Sequence, residues 1–446
     1  MMHTTVPPNA LSALDAARQI REGKLTSVEL VTACLKRISE TDEQLRAWVY
    51  VDADEALAQA RELDEIRRKG RPTGPLHGVP VGIKDIIDAK GVACERGSPI
   101  FKGRIPEADA AIIERLREAG AVIMGKTVTT EFAFMHPAET RNPHNPDYSP
   151  GGSSSGSAAA VAAYHVPLAI GTQTNGSVIR PASYCGTYGF KPSRGVISRR
   201  GILQTSQSLD QVGVFARDLP DAALLADVIG GYDPTDDLSY SRPRPQMLAG
   251  SQAKAPVEPA IAYLDMPYKN RLSNDAREGF EELLETLGQS VERLPVDDKL
   301  ATLIDAHATI HEYEIWQHNK ELFTEHWDQL SQSIQPVLRN ARTISAAAYE
   351  DALQVKLSGE RFFSEFFNDY DAIIMPSSTG EAPLFETGTG DPIFSTISSL
   401  CGLPSLTMPL LVGANNMPVG VQLVGGCEED DRLLRTASWM LDTLFI

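Results

Sequence analysis

Two short segments dense in glycine and hydroxyl residues, each set against an apolar run, constrain this chain more than any other feature. The first is Pro150-Gly151-Gly152-Ser153-Ser154-Ser155-Gly156-Ser157, followed by the apolar stretch 158–163. The second is Gly171-Thr172-Gln173-Thr174-Asn175-Gly176-Ser177-Val178-Ile179-Arg180-Pro181, preceded by the apolar stretch 166–170. A flexible linker can share the first composition, but it is not expected to run straight into a buried helix or to recur beside a strand. Glycines let a backbone approach a ligand and aim its N–H groups. Serines supply nucleophiles and proton relays. The pair reads as a site.

A serine hydroxyl needs a base, most often histidine. None of the nine histidines stands in an obvious catalytic frame. His307 and His311 are spaced i, i+4, which suits a metal, but without a Glu-x-x-His partner they read as a polar helix face. A lysine is the better candidate. Gly78-Val79-Pro80-Val81-Gly82-Ile83-Lys84-Asp85 puts Lys84 at the end of an apolar strand. Desolvation there would depress the ammonium pKa and give an amine that accepts a proton.

Together with Cys185-Gly186-Thr187-Tyr188-Gly189-Phe190-Lys191-Pro192-Ser193 and Ser208-Leu209-Asp210-Gln211-Val212-Gly213, these segments resemble the amidase signature family over about 75–218. A weaker echo follows in Gly402-Leu403-Pro404-Ser405 and Pro418-Val419-Gly420-Val421-Gln422. The resemblance implies an α/β amidase-signature fold, one large mixed β-sheet covered by helices on both sides. It also implies a Ser-cisSer-Lys triad of Lys84 as base, Ser153 as bridging serine and Ser177 as nucleophile. The backbone N–H groups of Thr174, Asn175, Gly176 and Ser177 would form the oxyanion hole, with Ser154, Gln173 and Arg180 in support. No metal or cofactor is implied.

The chain departs from the family's usual pattern. Members commonly carry Asp where Gln173 stands and Gly where Asn175 and Ser155 stand, and the arginine comes one residue later, at Arg180. A charged Asp–Arg support beneath the nucleophile loop is therefore altered at both ends, which reads as a compensated variant because all three triad positions survive. Asn is the non-glycine residue most tolerant of unusual backbone angles, which suits position 175.

With 446 residues, 42% of them hydrophobic and 22% charged, the chain can bury a sizeable core. It reads as a single amidase domain over 1–446: N-terminal helices in 10–70, a signature core in 75–218, a variable substrate-shaping region in 230–390, and C-terminal strands and a helix in 391–446. Strand signals fall at 79–83, 121–124, 166–170, 372–375, 405–408 and 419–424, and helical signals at 10–40, 52–69, 109–118, 274–287 and 303–368. The stretch 230–258, rich in proline, reads as a loop. A net charge of −18 argues against nucleic acid or an anionic membrane as partner. No stretch approaches the ~20 apolar residues of a membrane span. The N-terminus lacks signal-peptide character, and the five scattered cysteines fit reduced thiols, hence a cytoplasmic protein. A homodimer is open to it.

Gly152-Ser153-Ser154-Ser155-Gly156 also satisfies G-x-S-x-G, which would make Ser154 the nucleophile, but that motif needs a strand just before the serine and 142–150 has no β-like run. Two functions then compete. One is an amidohydrolase cleaving a carboxamide, carbamate (urethanase activity) or ester of a small organic substrate. The other is a glutaminase subunit of a glutamine-dependent tRNA amidotransferase, disfavoured here by the acidic balance and the altered loop. A non-catalytic binding protein is a third reading, against which the intact triad speaks. Residues Phe132, Tyr148, Tyr184, Ile202 and 397–403 are candidates for pocket walls.

Overall fold

In a computed structural model, which describes residues 6–134, 136–295 and 299–445, eleven strands form one mixed sheet. They are β1 (Trp48–Val51), β2 (Pro80–Lys84), β3 (Val122–Thr127), β4 (Leu168–Gln173), β5 (Tyr188–Lys191), β6 (Gln211–Ala216), β7 (Ile261–Leu264), β8 (Val291–Leu294), β9 (Ala372–Pro376), β10 (Ser405–Val412) and β11 (Pro418–Val424). The order across the sheet is β1-β3-β2-β4-β6-β5-β10-β11-β9-β7-β8. β2 runs parallel to both β3 and β4, while β4 pairs antiparallel with β6.

Every residue of β2, β3, β4 and β6 is buried, as strands covered on both faces must be. Helix Ser155–Ala162 packs on this central group, and so does Leu219–Ile229. The first of these consists of serine, glycine, alanine and one valine, with no polar face to present to water, and such a helix belongs in an interior. Its small side chains permit close approach: a Cβ on Gly156 would lie 2.3 Å from the Ala47 carbonyl oxygen and 2.4 Å from the Val128 nitrogen.

The N-terminal helices match expectation, including a reciprocal cap at Thr26. Its hydroxyl accepts from the Glu29 N–H at 3.1 Å, and the Glu29 carboxylate accepts from the Thr26 N–H at 2.8 Å. Two stretches differ. The span 303–368 divides into helices Lys299–Glu325, Ile334–Ala341 and Ala346–Phe366. Within 230–258 lies the short helix Met247–Gln252, whose first N–H groups, from Met247 and Leu248, donate to Asp227 at 3.0 and 2.7 Å. That cap comes from another helix, so nothing local in 230–258 announces it. No helix of the described residues is long and apolar enough to cross a membrane.

Candidate active site

Lys84 is the last residue of β2 and is fully buried. Its Nζ lies 2.7 Å from Ser153 Oγ and 2.9 Å from Thr172 Oγ1. Burial pushes the ammonium well below the ordinary lysine range, and the nearby Asp210 carboxylate opposes this as a smaller effect. A neutral amine keeps one lone pair and two N–H groups. In that form the lysine can accept a hydrogen bond from the Ser153 hydroxyl while donating to Thr172. Parallel registry accounts for the meeting, because Ile83 pairs with Ile170 and so the C-terminal end of β2 lies beside the last residues of β4.

Ser153 follows the one cis peptide bond found among the described residues, Gly152–Ser153. The carbonyl of Gly152 accepts from the Arg180 guanidinium at 2.7 Å, and the same group donates to the Gly390 carbonyl at 2.8 Å. Arg180 is thus a brace between the Ser153 loop and 389–390, and its side chain makes no hydrogen bond to Gln173 among the described residues. Gln173 has a separate task. Its Oε1 accepts from the N–H groups of Val178 and Ile179 at 2.8 and 3.0 Å, capping the short helix Ile179–Cys185. The two altered residues therefore support different halves of the site.

Ser177 stands just before that helix, part-exposed like Asn175, whereas Gly176 and 178–180 are buried. Lys84 and Ser153 are in hydrogen-bond contact; Ser177 is hydrogen-bonded to neither among the described residues. Around it the loop is tied on every side. The Thr174 hydroxyl donates to Asp210 at 2.6 Å, and Asp210 also accepts from Thr205 and from the Ser206 N–H at 2.9 Å. Burial raises the Asp210 carboxyl, against the pull of these donors. The Asn175 side-chain oxygen accepts from Thr396 at 2.9 Å.

Ser154 does not stand where the G-x-S-x-G motif would place it. Its hydroxyl donates to the Thr172 carbonyl at 3.2 Å and accepts the Thr172 N–H at 3.3 Å, and no strand lies between β3 and the serine among the described residues. The elbow geometry that G-x-S-x-G requires is missing. Of the proposed wall residues, Ile202 lines a cavity of about 280 Å³ that shares Thr172, Thr174 and Asp210 with the site. The cations at its rim are already paired, Arg199 with Asp236 and Arg200 with Asp233 and Glu114. Phe132 and Tyr184 are instead core residues, fully buried, and Tyr148 bridges to Leu384.

His307 corrects the reading of its helix as a polar face. It is buried, with Nε2 at 3.0 Å from the Thr174 carbonyl, and burial, aided by His311, pushes its pKa down to about 3. His311 packs edge-on against Phe134. Ser399, within the 397–403 stretch, likewise enters the site through Gln173 and Asn175.

The family model described as Amidase matches residues 29–434. A glutamyl-tRNA(Gln) amidotransferase subunit from Lachnospira eligens is 33% identical, with 95% of this chain and 96% of that protein covered. Its namesake from Chloroflexus aggregans is 35% identical, covering 95% and 94% respectively. Among solved structures, one described as "an unexpected vestigial protein complex" that "reveals the evolutionary origins of an s-triazine catabolic enzyme" superposes with a TM-score of 0.91 at 28% identity, covering 97% of this chain and 98% of that one.

Proposed function

The chain belongs to the amidase family, and from that premise we propose that it hydrolyses the C–N bond of a carboxamide through an acyl-enzyme on Ser177. The observation that carries this reading is the Lys84–Ser153 contact of 2.7 Å in a site where burial favours the neutral amine. Ser177 attacks the carbonyl as its proton passes to Ser153 and that of Ser153 to Lys84. The developing oxyanion meets the N–H groups of the 174–177 loop; loss of one such donor typically costs ~10²–10³ in rate. Ser153 returns a proton to the departing nitrogen, without which an amine leaves poorly. Water then releases the acyl group by the reverse relay.

On substrate, we favour a small, neutral organic carboxamide, with carbamates and esters as related targets, acted on by the single 1–446 unit in the cytoplasm. Gln173, Asn175 and the displaced Arg180 set this loop apart from the family's usual form, and the arginines beside the cavity are already neutralised by carboxylates. A second reading has its own support: the chain is a glutaminase subunit of a tRNA amidotransferase. The relatives weigh toward it, since two are named for that enzyme and align over nearly the whole of both chains. Partner proteins and charged tRNA would enter only with this second reading.

The deciding experiment measures ammonia release by the purified chain from a panel of neutral aryl and aliphatic amides and from glutamine. Turnover of a simple amide by the chain alone supports the first reading. Activity confined to glutamine, or dependent on the other components of an amidotransferase, supports the second. A chain inert in every arm would overturn the proposed chemistry.

A further inference from the structure

We infer that Gln173, Ser399 and His307 are positioning residues that aim the oxyanion-binding N–H groups of Asn175 and Gly176 by gripping the carbonyls on the far side of the same peptide planes. This rests on the reading of Ser177 as nucleophile. In a trans peptide the C=O and the following N–H point in opposite directions, and the only cis bond among the described residues is elsewhere. Whatever holds the Thr174 carbonyl therefore orients the Asn175 N–H, and whatever holds the Asn175 carbonyl orients the Gly176 N–H.

Both carbonyls are held from outside the loop. The Thr174 carbonyl lies 3.0 Å from His307 Nε2. A carbonyl can only accept, so that nitrogen carries the proton. The Asn175 carbonyl accepts from the Ser399 hydroxyl. The third plane is set within the chain, as the Gly176 carbonyl accepts the Arg180 N–H at 3.0 Å.

The direction of the Ser399 bond follows from Gln173. The side-chain oxygen of Gln173 is fixed by two N–H donors, Val178 and Ile179, so its Nε2 must face Ser399, at 3.0 Å. Ser399 accepts there and has its proton free for Asn175. The chain of donors thus runs Gln173 to Ser399 to the Asn175 carbonyl. A carboxylate at 173 would reverse it: the Ser399 hydroxyl would donate to the acid, and the Asn175 carbonyl would be left without its donor. Gln173 is the residue where this chain departs from the family's usual Asp, and the departure is matched by a hydroxyl that needs an amide beside it. Ser399 is itself steadied, its carbonyl accepting from Gln211 Nε2 at 3.2 Å.

The test compares Gln173→Glu, Ser399→Ala, His307→Leu and His307→Gln with the unaltered enzyme. It reads kcat and KM on an amide, thermal stability, and affinity for a trifluoromethyl ketone bearing the same acyl group, which forms a tetrahedral serine adduct. Gln173→Glu and Ser399→Ala are each expected to lower kcat about ten- to a hundredfold, short of outright loss of a donor, with KM little changed and ketone affinity falling in step with kcat/KM. Because these two act along one chain of hydrogen bonds, the double variant should be no worse than the weaker single one. His307→Leu should lower kcat further when combined with either, and His307→Gln, which keeps an N–H donor, should restore part of it. Wild-type kcat in Ser399→Ala and His307→Leu would overturn the inference. So would a fall in stability or kcat with ketone affinity unmoved, since a merely structural role predicts that result. If Gln173→Glu does not fold, Ser399→Ala and the two His307 variants decide. Ser177→Ala separates the two levels: turnover surviving in it sinks the nucleophile reading itself, whereas a dead Ser177→Ala beside fully active positioning variants sinks only the inference.

Discussion

Gly176→Ala probes how tightly the 174–177 loop, which carries the proposed nucleophile, is seated. A Cβ at Gly176 would lie 2.8 Å from Pro392 Cβ, 3.2 Å from Pro392 Cα and 3.5 Å from Ser395 Cβ. Carbon atoms rest about 3.5–4.0 Å apart, so the loop must retreat by about 0.7 Å or push its neighbour. The neighbour cannot yield easily: Pro392 is a closed ring at the N-terminus of the buried helix Ile393–Leu400. A misplacement of about 1 Å in a catalytic group can cost about 10²-fold in rate, and that is the expected fall in kcat for Gly176→Ala, with overpacking reducing stability by about 1–3 kcal/mol. Steady-state kinetics on a simple amide and urea unfolding give both numbers. Gly279→Ala is the matched control, inside helix Asn274–Leu287 with its nearest atoms on Leu411 at 3.8 and 3.9 Å. It should leave kcat alone and stabilise the protein by about 1 kcal/mol. Wild-type kcat in Gly176→Ala would refute the claim that the loop is held against 392–395 for catalysis.

Further expectations concern the relay. A lysine of ordinary pKa is neutral in only about one molecule in 2,500 at pH 7; since burial lowers that of Lys84, kcat/KM should rise with pH through one ionisation and level off below the ordinary lysine range, and a rise centred there would contradict the proposed base. Lys84→Met should abolish turnover at neutral pH. It should also raise stability there relative to the wild type, because the unfolded wild-type chain binds a proton that the folded one excludes; the gain should shrink as pH climbs toward the ordinary lysine pKa, and a gain growing with pH would have the wrong sign. Ser153→Ala should harm an amide far more than an activated ester of the same acyl group in single-turnover assays, because an alkoxide needs less help to leave; equal losses would remove Ser153 from proton delivery. His307, held to about pKa 3, should contribute no inflection near pH 6.5 to the rate profile, and one lost with His307→Gln would show that it titrates.

What can be read in the chain without its structure is whatever local pattern encodes. Lys84 and the two glycine-rich loops are legible because an apolar strand ending in a lysine and hydroxyls packed among glycines have few other uses. β2, β4 and β11 are legible because each is built around a mostly apolar stretch. β1 and β8 are not, since both include exposed residues and sit at the two edges of the sheet, where no apolar run is required. The roles of His307 and Ser399 depend on contacts spanning 133 and 226 residues. Spacing marks His307 only as one of a histidine pair, and Ser399 is marked only as part of the apolar 397–403 stretch, with nothing to single out its hydroxyl. Arg180, displaced by one residue, is legible as a departure, but its bond to the Gly152 carbonyl appears only once the two loops are folded together.

The most direct test of the proposed mechanism is to identify the residue that becomes acylated. The protein is treated with a serine-directed fluorophosphonate, with and without excess amide substrate, then digested and mapped by mass spectrometry. One adduct is expected, on Ser177, suppressed by substrate and absent from Lys84→Met at neutral pH. An adduct on Ser154, or amide turnover that persists with Ser177 fully blocked, would contradict it.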